Sequence, residues 1–265
     1  MTLQIYIRTV LNCIRKGMFL MILLSLIGLK VNKAYSQDQN SRTATYKLQQ
    51  TWLKTLQKQQ GSELPYTEIS GLIVNETLHI GKPSIKAAWN ELTGSDQITK
   101  YDTLAYFQLY PGQLFVHGIY TTDKGTAFHS IIGWKKSESW VKVFEAIAPK
   151  SGVTENSKTE IGLLRSSWEL YSNQHRPDLI AKNVFAGEGR YFYKGVEYVG
   201  MQIADAYGYM KNDSYSIDLT PQKIIQVNNQ IVYEVGIYDT GGQGLYFLLW
   251  VKKGEEWKLW LDFNF

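Results

Sequence analysis

The feature that most constrains the fold is an internal repeat with an offset of about 117 residues. Short strings rich in glycine, tryptophan, lysine and tyrosine recur in the same order in the two halves of the chain. The matched segments are 118–120 with 236–238, 134–136 with 250–253, 140–145 with 257–262, and Trp52 with Trp168. Self-similarity at a fixed period indicates repeated structural units, and this period is long enough for a whole domain. The sequence therefore predicts two domains of similar fold.

Composition divides the chain into five segments. Residues 1–36 are predicted to be a signal peptide, and the polar residues 37–44 a short flexible lead-in. The first domain is predicted at 45–148 and the second at 158–265. Residues 149–157 contain the Pro, Gly and Ser of a linker.

The N-terminus has the order of an export signal. Basic residues precede an apolar run at 18–29, which is followed by the small-x-small site Ala34-Tyr35-Ser36. The run is shorter than the roughly 20 residues that a membrane-spanning helix needs. We expect a signal peptide cleaved near Ser36 and an exported protein, periplasmic or secreted, that does not contact the membrane once the signal is removed. An uncleaved anchor and a start at Met18 are the alternatives.

The exported chain would contain neither a cysteine nor a strong charge. The only cysteine, Cys13, lies inside the predicted signal, and an exported protein without disulfides is typical of the bacterial periplasm. The signal also holds five of the 28 basic residues and none of the 24 acidic ones, so 23 bases and 24 acids would remain. A net charge near zero provides no attraction for a phosphate backbone, and we expect no nucleic-acid partner.

Each half is predicted to begin with helices and to end as a sheet. Apolar residues at 48–56 and at 161–171 have the spacing of one helix face, Pro83 opens a second short helix, and 201–210 is its counterpart. The predicted strands of the second half are 224–227, 231–238, 245–252 and 257–263. Tight turns between them predict an antiparallel meander with helices on one face, which makes each half an α+β fold.

The second half resembles the nuclear-transport-factor-2-like (NTF2-like) superfamily, in particular its SnoaL-like and DUF4440-like branch. The residues that carry the resemblance are Gly236, Tyr238, Trp250, Lys252, Gly254, Trp257, Lys258, Asp262 and Asn264. The first half is more divergent, because Glu145 stands in place of Asp262 and Ile147 in place of Asn264.

The resemblance implies two tandem NTF2-like cone domains, each with N-terminal helices packed on a curved antiparallel sheet that encloses a pocket. Members of the superfamily usually pair sheet to sheet. We therefore expect the two domains to form an intramolecular pseudo-dimer and the chain to be a monomer.

Asp262 is the candidate catalytic residue. Enzymes that the chain resembles use carboxylates and tyrosines in the cone to move a proton on an enolisable substrate. Strict alternation along the last strand would place Trp260, Asp262 and Asn264 on one face. That face suits either a pocket lining or a solvated edge where Asp262 pairs with a lysine.

A second set of residues is predicted to bind a ligand. Its members are Trp168, Tyr191, Tyr207, Glu234, Tyr246, Trp260 and Asn264, with Tyr193 and Tyr209 as further rings for a flat molecule. Glu234 lies inside an apolar strand, so it is either a buried functional acid or an outward-facing residue. The aromatic residues alternatively pack a core or a domain interface.

The histidines do not predict a metal site. His79, His117, His129 and His175 lack the spacing of a helical metal site. His117 and His129 would approach each other across a hairpin, but no third ligand is evident. We expect no metal and no cofactor, and the hydrolase and phosphate-binding motifs are missing from the sequence.

Three functions are compatible with these observations. The first is binding of a small apolar or aromatic ligand in the second cone, because that half is rich in aromatic residues. The second is an enzyme that transfers a proton on a carbonyl compound with Asp262 as acid or base. The third is a structural or protein-interaction module. Because folds of this kind host many functions, the resemblance does not choose among them.

Overall fold

The computed structural model of the protein describes residues 39–57, 65–94, 96–153 and 157–265. The predicted signal peptide at 1–36 therefore lies outside the described residues. Thr45–Phe265 form one compact unit. Within the described residues, no helix combines the length and the apolar character needed to cross a membrane.

The first half contains two helices and six strands. The described part of helix α1 covers 39–57. The other elements are β1 (Tyr66–Val74), β2 (Thr77–Ile80), α2 (Gly81–Thr93), β3 (Ile98–Phe107), β4 (Gln113–Thr122), β5 (Ala127–Lys136) and β6 (Trp140–Pro149).

The second half repeats this order. Its elements are α3 (Lys158–Asn173), α4 (Pro177–Leu179) with the π-helical turn Ile180–Val184, β7 (Phe185–Tyr193), β8 (Val196–Val199), α5 (Gln202–Ala206), the 3-10 turn Gly208–Lys211, β9 (Asp218–Gln226), β10 (Ile231–Asp239), β11 (Gln243–Lys253) and β12 (Glu256–Asn264).

Two six-stranded sheets have the same strand order. The first is β2-β1-β6-β5-β4-β3 and the second is β8-β7-β12-β11-β10-β9. In both, a four-stranded antiparallel meander is joined to an N-terminal hairpin by one parallel pair, β1 with β6 or β7 with β12. The predicted fold class is confirmed as α+β, with two successive domains that each combine helices with a six-stranded sheet. Each sheet is mixed, and not purely antiparallel as predicted, because the hairpin adds a parallel pairing. The sequence did not predict this hairpin or its pairing.

The core consists of three apolar layers. One layer lies between the helices and the sheet of the first domain, and another between the sheet and the helices of the second. The third layer joins the two sheets face to face. At its centre Phe144 of β6 stacks on Phe263 of β12, with ring centroids 4.4 Å apart and planes 14° apart. The two sheets therefore pack face to face within one chain.

The helical predictions are confirmed where the structure tests them. The apolar stripe at 161–171 lies in α3, and Pro83 is in the first turn of α2. The predicted lead-in at 37–44 differs from the structure, because residues 39–44 are helical. No glycine or proline interrupts these residues, so α1 extends into them.

Candidate functional site

A cavity of about 600 Å³ opens on the helix-covered face of the second sheet. Its walls come from strands β7 to β12 on one side and from α3 and residues 206–217 on the other. The lining residues are Trp168, Tyr191, Tyr193, Tyr198, Ala206, Tyr209, Tyr215, Ile217, Leu219, Tyr238, Thr240, Tyr246, Leu248, Asp262, Asn264 and Phe265. This volume falls in the range of small-molecule sites.

Asp262 is a buried acid in the lining of this cavity. It lies on β12, where it pairs with Leu248 of β11 and with Tyr191 of β7. The hydroxyl of Tyr207 donates a hydrogen bond to Oδ2 of Asp262. Burial raises the pKa of Asp262 to about 7, although the hydrogen bond from Tyr207 opposes the rise. The carboxyl group therefore changes protonation state near neutral pH.

The tyrosines around Asp262 remain neutral hydroxyl groups. Tyr191 contacts Asn264 through its side chain, and burial raises the pKa of its hydroxyl well above the usual value. Burial is also the main reason why the pKa values of Tyr215 and Tyr238 are raised. The cavity thus offers aromatic rings with protonated hydroxyls and one acid.

Two groups of rings form the aromatic walls. On the sheet, Tyr191 is nearly parallel to Tyr193 and to Tyr198, with centroids 6.0 and 5.8 Å apart. On the helical side, Tyr209 and Tyr215 meet edge to face at 5.6 Å. Rings in different orientations therefore surround the space from two sides.

Glu234 lies behind the cavity lining and holds one of its tyrosines in place. It is fully buried on β10, and Arg165 of α3 donates a hydrogen bond to its Oε1 at 3.0 Å. Tyr246 donates to the same oxygen at 2.8 Å, and Trp250 Nε1 donates to Oε2 at 3.1 Å. With two donors on one oxygen and one on the other, Glu234 holds the Tyr246 ring against the cavity.

A glycine allows the Tyr246 ring to take this position. Gly236 is the cross-strand partner of Tyr246, and a Cβ atom at Gly236 would lie 2.3 Å from the Tyr246 ring. The repeated Gly-Ile-Tyr string therefore reflects packing, since Gly118 of the first domain gives the same room to Tyr101.

The eight predicted site residues divide into three groups, and Trp260 alone forms the third. Five of them line the cavity: Trp168, Tyr191, Tyr246, Asp262 and Asn264. Tyr207 and Glu234 lie behind the lining and hold cavity residues through hydrogen bonds. Tyr193 and Tyr209, the further predicted rings, are in the lining as well.

Trp260 lies on the opposite face of the sheet, in the apolar layer between the two sheets. Leu249 pairs with Leu261 and Trp250 with Leu259, so Trp260 is the extra residue of a β-bulge. A bulge shifts the alternation of side chains by one residue. The prediction that Trp260 shares the face of Asp262 is therefore wrong.

Several residues of the site were not predicted from the sequence. Tyr198, Tyr215 and Tyr238 line the cavity, but they come from a short edge hairpin, a loop and a strand end. Arg165, the ion-pair partner of Glu234, was also missed. The one available signal was that Arg165 lies four residues after Ile161, which is on the apolar face of the predicted helix.

The interior of the first domain contains a buried ion pair. Lys142 Nζ lies 2.8 Å from Oε2 of Glu145, and both side chains are fully buried. Tyr120 donates a hydrogen bond to Oε1 of Glu145 at 2.7 Å, and Tyr66 donates to Oε2. Lys142 Nζ also lies 5.2–5.7 Å from the ring centroids of Trp52, Tyr66 and Trp134. Buried side chains therefore surround Glu145, the residue whose counterpart in the second domain is the cavity acid Asp262.

The histidines form one pair. His117 Nε2 and His129 Nδ1 are 3.0 Å apart, and burial lowers the pKa of both to about 4. No group of three or more side chains suited to a metal ion occurs in the described parts of the chain.

No known protein family matches the sequence, and no curated protein does. Solved structures give distant likenesses. An NTF2-like protein of unknown function from Shewanella oneidensis is 17% identical, with a TM-score of 0.37 over 41% of this chain and 98% of its own. A cystatin-like domain of unknown function from Nostoc punctiforme is 12% identical, with a TM-score of 0.36 over 41% and 78%. A DUF4783 family protein from Bacteroides ovatus is 16% identical, with a TM-score of 0.32 over 38% and 93%.

Proposed function

We propose that the second domain binds a small apolar or aromatic molecule in its cavity. The observation that carries the proposal is a contrast between two domains of one topology. The acid Glu145 of the first domain is fully buried beside Lys142, whereas the equivalent Asp262 of the second domain borders a cavity of about 600 Å³ lined by aromatic rings. Leaving such a space unfilled costs packing energy, so a bound molecule is the simplest physical reason for it.

The lining has the composition of a small-molecule site. Aromatic and aliphatic side chains supply most of it, and a few polar groups are available to orient a ligand. Asp262 and Asn264 are two of these polar groups. A third is the indole of Trp168, whose Nε1 has no hydrogen-bond partner among the described residues.

A cavity-filling substitution tests the proposal. Ala206 lines the cavity, so Ala206→Trp would occupy part of the space, whereas Leu163→Trp places the same side chain at an exposed position of α3. A library of small apolar and aromatic compounds should contain members that raise the melting temperature of the wild type and of Leu163→Trp. The same compounds should fail with Ala206→Trp. A wild type that responds to none of them contradicts the proposal.

A second candidate function is catalysis of proton transfer on a carbonyl compound, as the SnoaL-like resemblance implies. It is favoured by one observation: Asp262 is a buried cavity acid with a pKa of about 7, a value suited to a general acid or base at neutral pH. Asp262→Asn should then abolish exchange of solvent deuterium into enolisable ketones while the circular dichroism spectrum is unchanged. An unchanged exchange rate removes this candidate.

The predicted signal at 1–36 supports a further part of the proposal, which is that the protein is exported. N-terminal sequencing of the protein recovered from the periplasm or the medium should begin at Gln37. Recovery of the uncleaved chain from the cytoplasm contradicts export.

A further inference from the structure

The charge of the cavity lining restricts the class of its ligand. Asp262 is the single acid among the lining residues, and none of them is a lysine, an arginine or a histidine. The nearby Arg165 already pairs with Glu234 behind Tyr246. Apart from the exposed Lys194 beside Tyr193, a ligand that carries a negative charge would therefore meet no countercharge at the lining.

The rings of the lining suit a positive charge. A cation is attracted to the face of an aromatic ring, and cages of several rings are the usual sites for ammonium groups. One ring of this cavity already accepts a cation on one side, because the exposed Lys194 places its Nζ 4.7 Å from the centroid of Tyr193. Tyr191 and Tyr198 stack in the same group, and Tyr209 and Tyr215 face them from the helical side.

We propose that the cavity of the second domain binds an organic ammonium ion, with its cationic head between the tyrosine rings and Asp262 and its apolar part against the remaining lining. This inference rests on the proposed function and names the ligand class of the same site.

In the first domain, a side chain of the protein itself places an ammonium group beside aromatic rings and an acid. There Lys142 supplies the ammonium group, which lies among the rings of Trp52, Tyr66 and Trp134 and beside the acid Glu145. The second domain has Leu259 at the place of Lys142, so no lysine from this strand position accompanies its acid, Asp262. An external ammonium ion would restore the missing partner.

Asp262 must be ionised to attract this ligand. The titratable groups that face it are the hydroxyls of Tyr191, Tyr207, Tyr209, Tyr215, Tyr238 and Tyr246. All six have raised pKa values and stay neutral, so Asp262 alone gives the lining a charge that changes near pH 7. Below this pH the ligand has to displace a proton, which is released to the solvent.

A matched pair of probes tests the inference. Phenyltrimethylammonium and tert-butylbenzene have the same shape and differ in the charged nitrogen. Their affinities are measured by NMR titration of the indole N–H resonances, with Trp168, which lines the cavity, assigned from the Trp168→Phe variant. At pH 8 we expect the cation to bind about tenfold more tightly than its neutral analogue. Its affinity should fall about tenfold between pH 8 and pH 6, while that of tert-butylbenzene does not fall.

Two variants complete the test. Asp262→Asn should reduce the preference for the cation to about threefold and remove its pH dependence, because only the rings then attract the charge. Asp205→Asn, which neutralises an exposed acid on α5, should behave as the wild type. If both probes shift the Trp168 resonance with equal affinity, or the neutral one binds more tightly, the ammonium inference is wrong and the ligand-binding proposal stands. If neither probe nor any library compound shifts that resonance, both are wrong.

Discussion

Asp262 and Glu145 occupy equivalent positions on the last strands of their sheets. Each is paired with the neighbouring meander strand on one side and with the parallel strand of the N-terminal hairpin on the other. Glu145 has a buried lysine beside it, whereas Asp262 has the hydroxyl of Tyr207 and an open cavity. The same strand position therefore carries an ion-paired acid in the first domain and an acid without a cationic partner in the second.

The contribution of Asp262 to the stability of the protein should decrease as the pH rises from about 4 to about 7. The folded state raises the pKa of Asp262 from 3.8 to about 7, so it favours the protonated acid. This contribution is fully present below the unfolded pKa and is lost as the pH rises through the folded pKa. Asp262→Asn should consequently be more stable than the wild type at pH 8, by up to about 4 kcal/mol.

Urea unfolding at pH 4 and at pH 8 measures this effect. The difference between Asp262→Asn and the wild type should be larger at pH 8. Asp205→Asn, at an exposed position, should differ from the wild type by the same small amount at both values. An equal difference at both pH values for Asp262→Asn would mean that folding does not shift the pKa of Asp262.

Removing the acid of the first domain should have the opposite effect. Glu145→Gln leaves the ammonium of Lys142 buried without a countercharge, which costs about 3–5 kcal/mol. The double variant Lys142→Met, Glu145→Gln should recover much of this loss, because a neutral pair needs no countercharge. Chemical denaturation measures both.

The matched control for Glu145 is the exposed pair of Arg176 and Asp178. Asp178→Asn should leave the denaturation midpoint unchanged, since solvent screens this pair. A Glu145→Gln variant as stable as the wild type would contradict the account of the first domain.

Gly236→Ala should destabilise the protein and disturb the cavity. Its Cβ would approach the Tyr246 ring to 2.3 Å, so the ring would have to leave its place beside Glu234. We expect a loss of about 1–3 kcal/mol and a change in the near-ultraviolet circular dichroism spectrum. Gly242→Ala is the control, because a Cβ there meets no atom within 4 Å. Equal effects of the two substitutions would show that Tyr246 does not depend on Gly236.

The layer between the sheets should contribute strongly to stability. Phe263 stacks on Phe144 and contacts Phe115 and Phe192, so Phe263→Ala should cost about 3–5 kcal/mol. The exposed Leu163→Ala should cost far less. Differential scanning calorimetry should show one transition in the wild type, because the two sheets share this layer. Two transitions in the wild type would mean that the domains unfold independently.

The sequence predicted the architecture well because the architecture depends on local patterns. The apolar stripe of α3, Pro83 in the first turn of α2 and the glycine-rich turns of the second meander each act over a few residues. The parallel pairing of the first strand of each sheet was missed because its partner strand lies about 70 residues away along the chain.

The sequence by itself determined that the chain contains two α+β domains and that Asp262 lies on a strand beside aromatic residues. Tertiary structure decided which of these residues meet. A single bulge moved Trp260 to the opposite face, and packing of α3 brought Arg165 to Glu234. Whether a cone is filled or open depends on side chains from distant elements that compete for the same volume. The total volume of those side chains cannot be predicted from any local sequence pattern. The cavity was therefore found only in the tertiary structure.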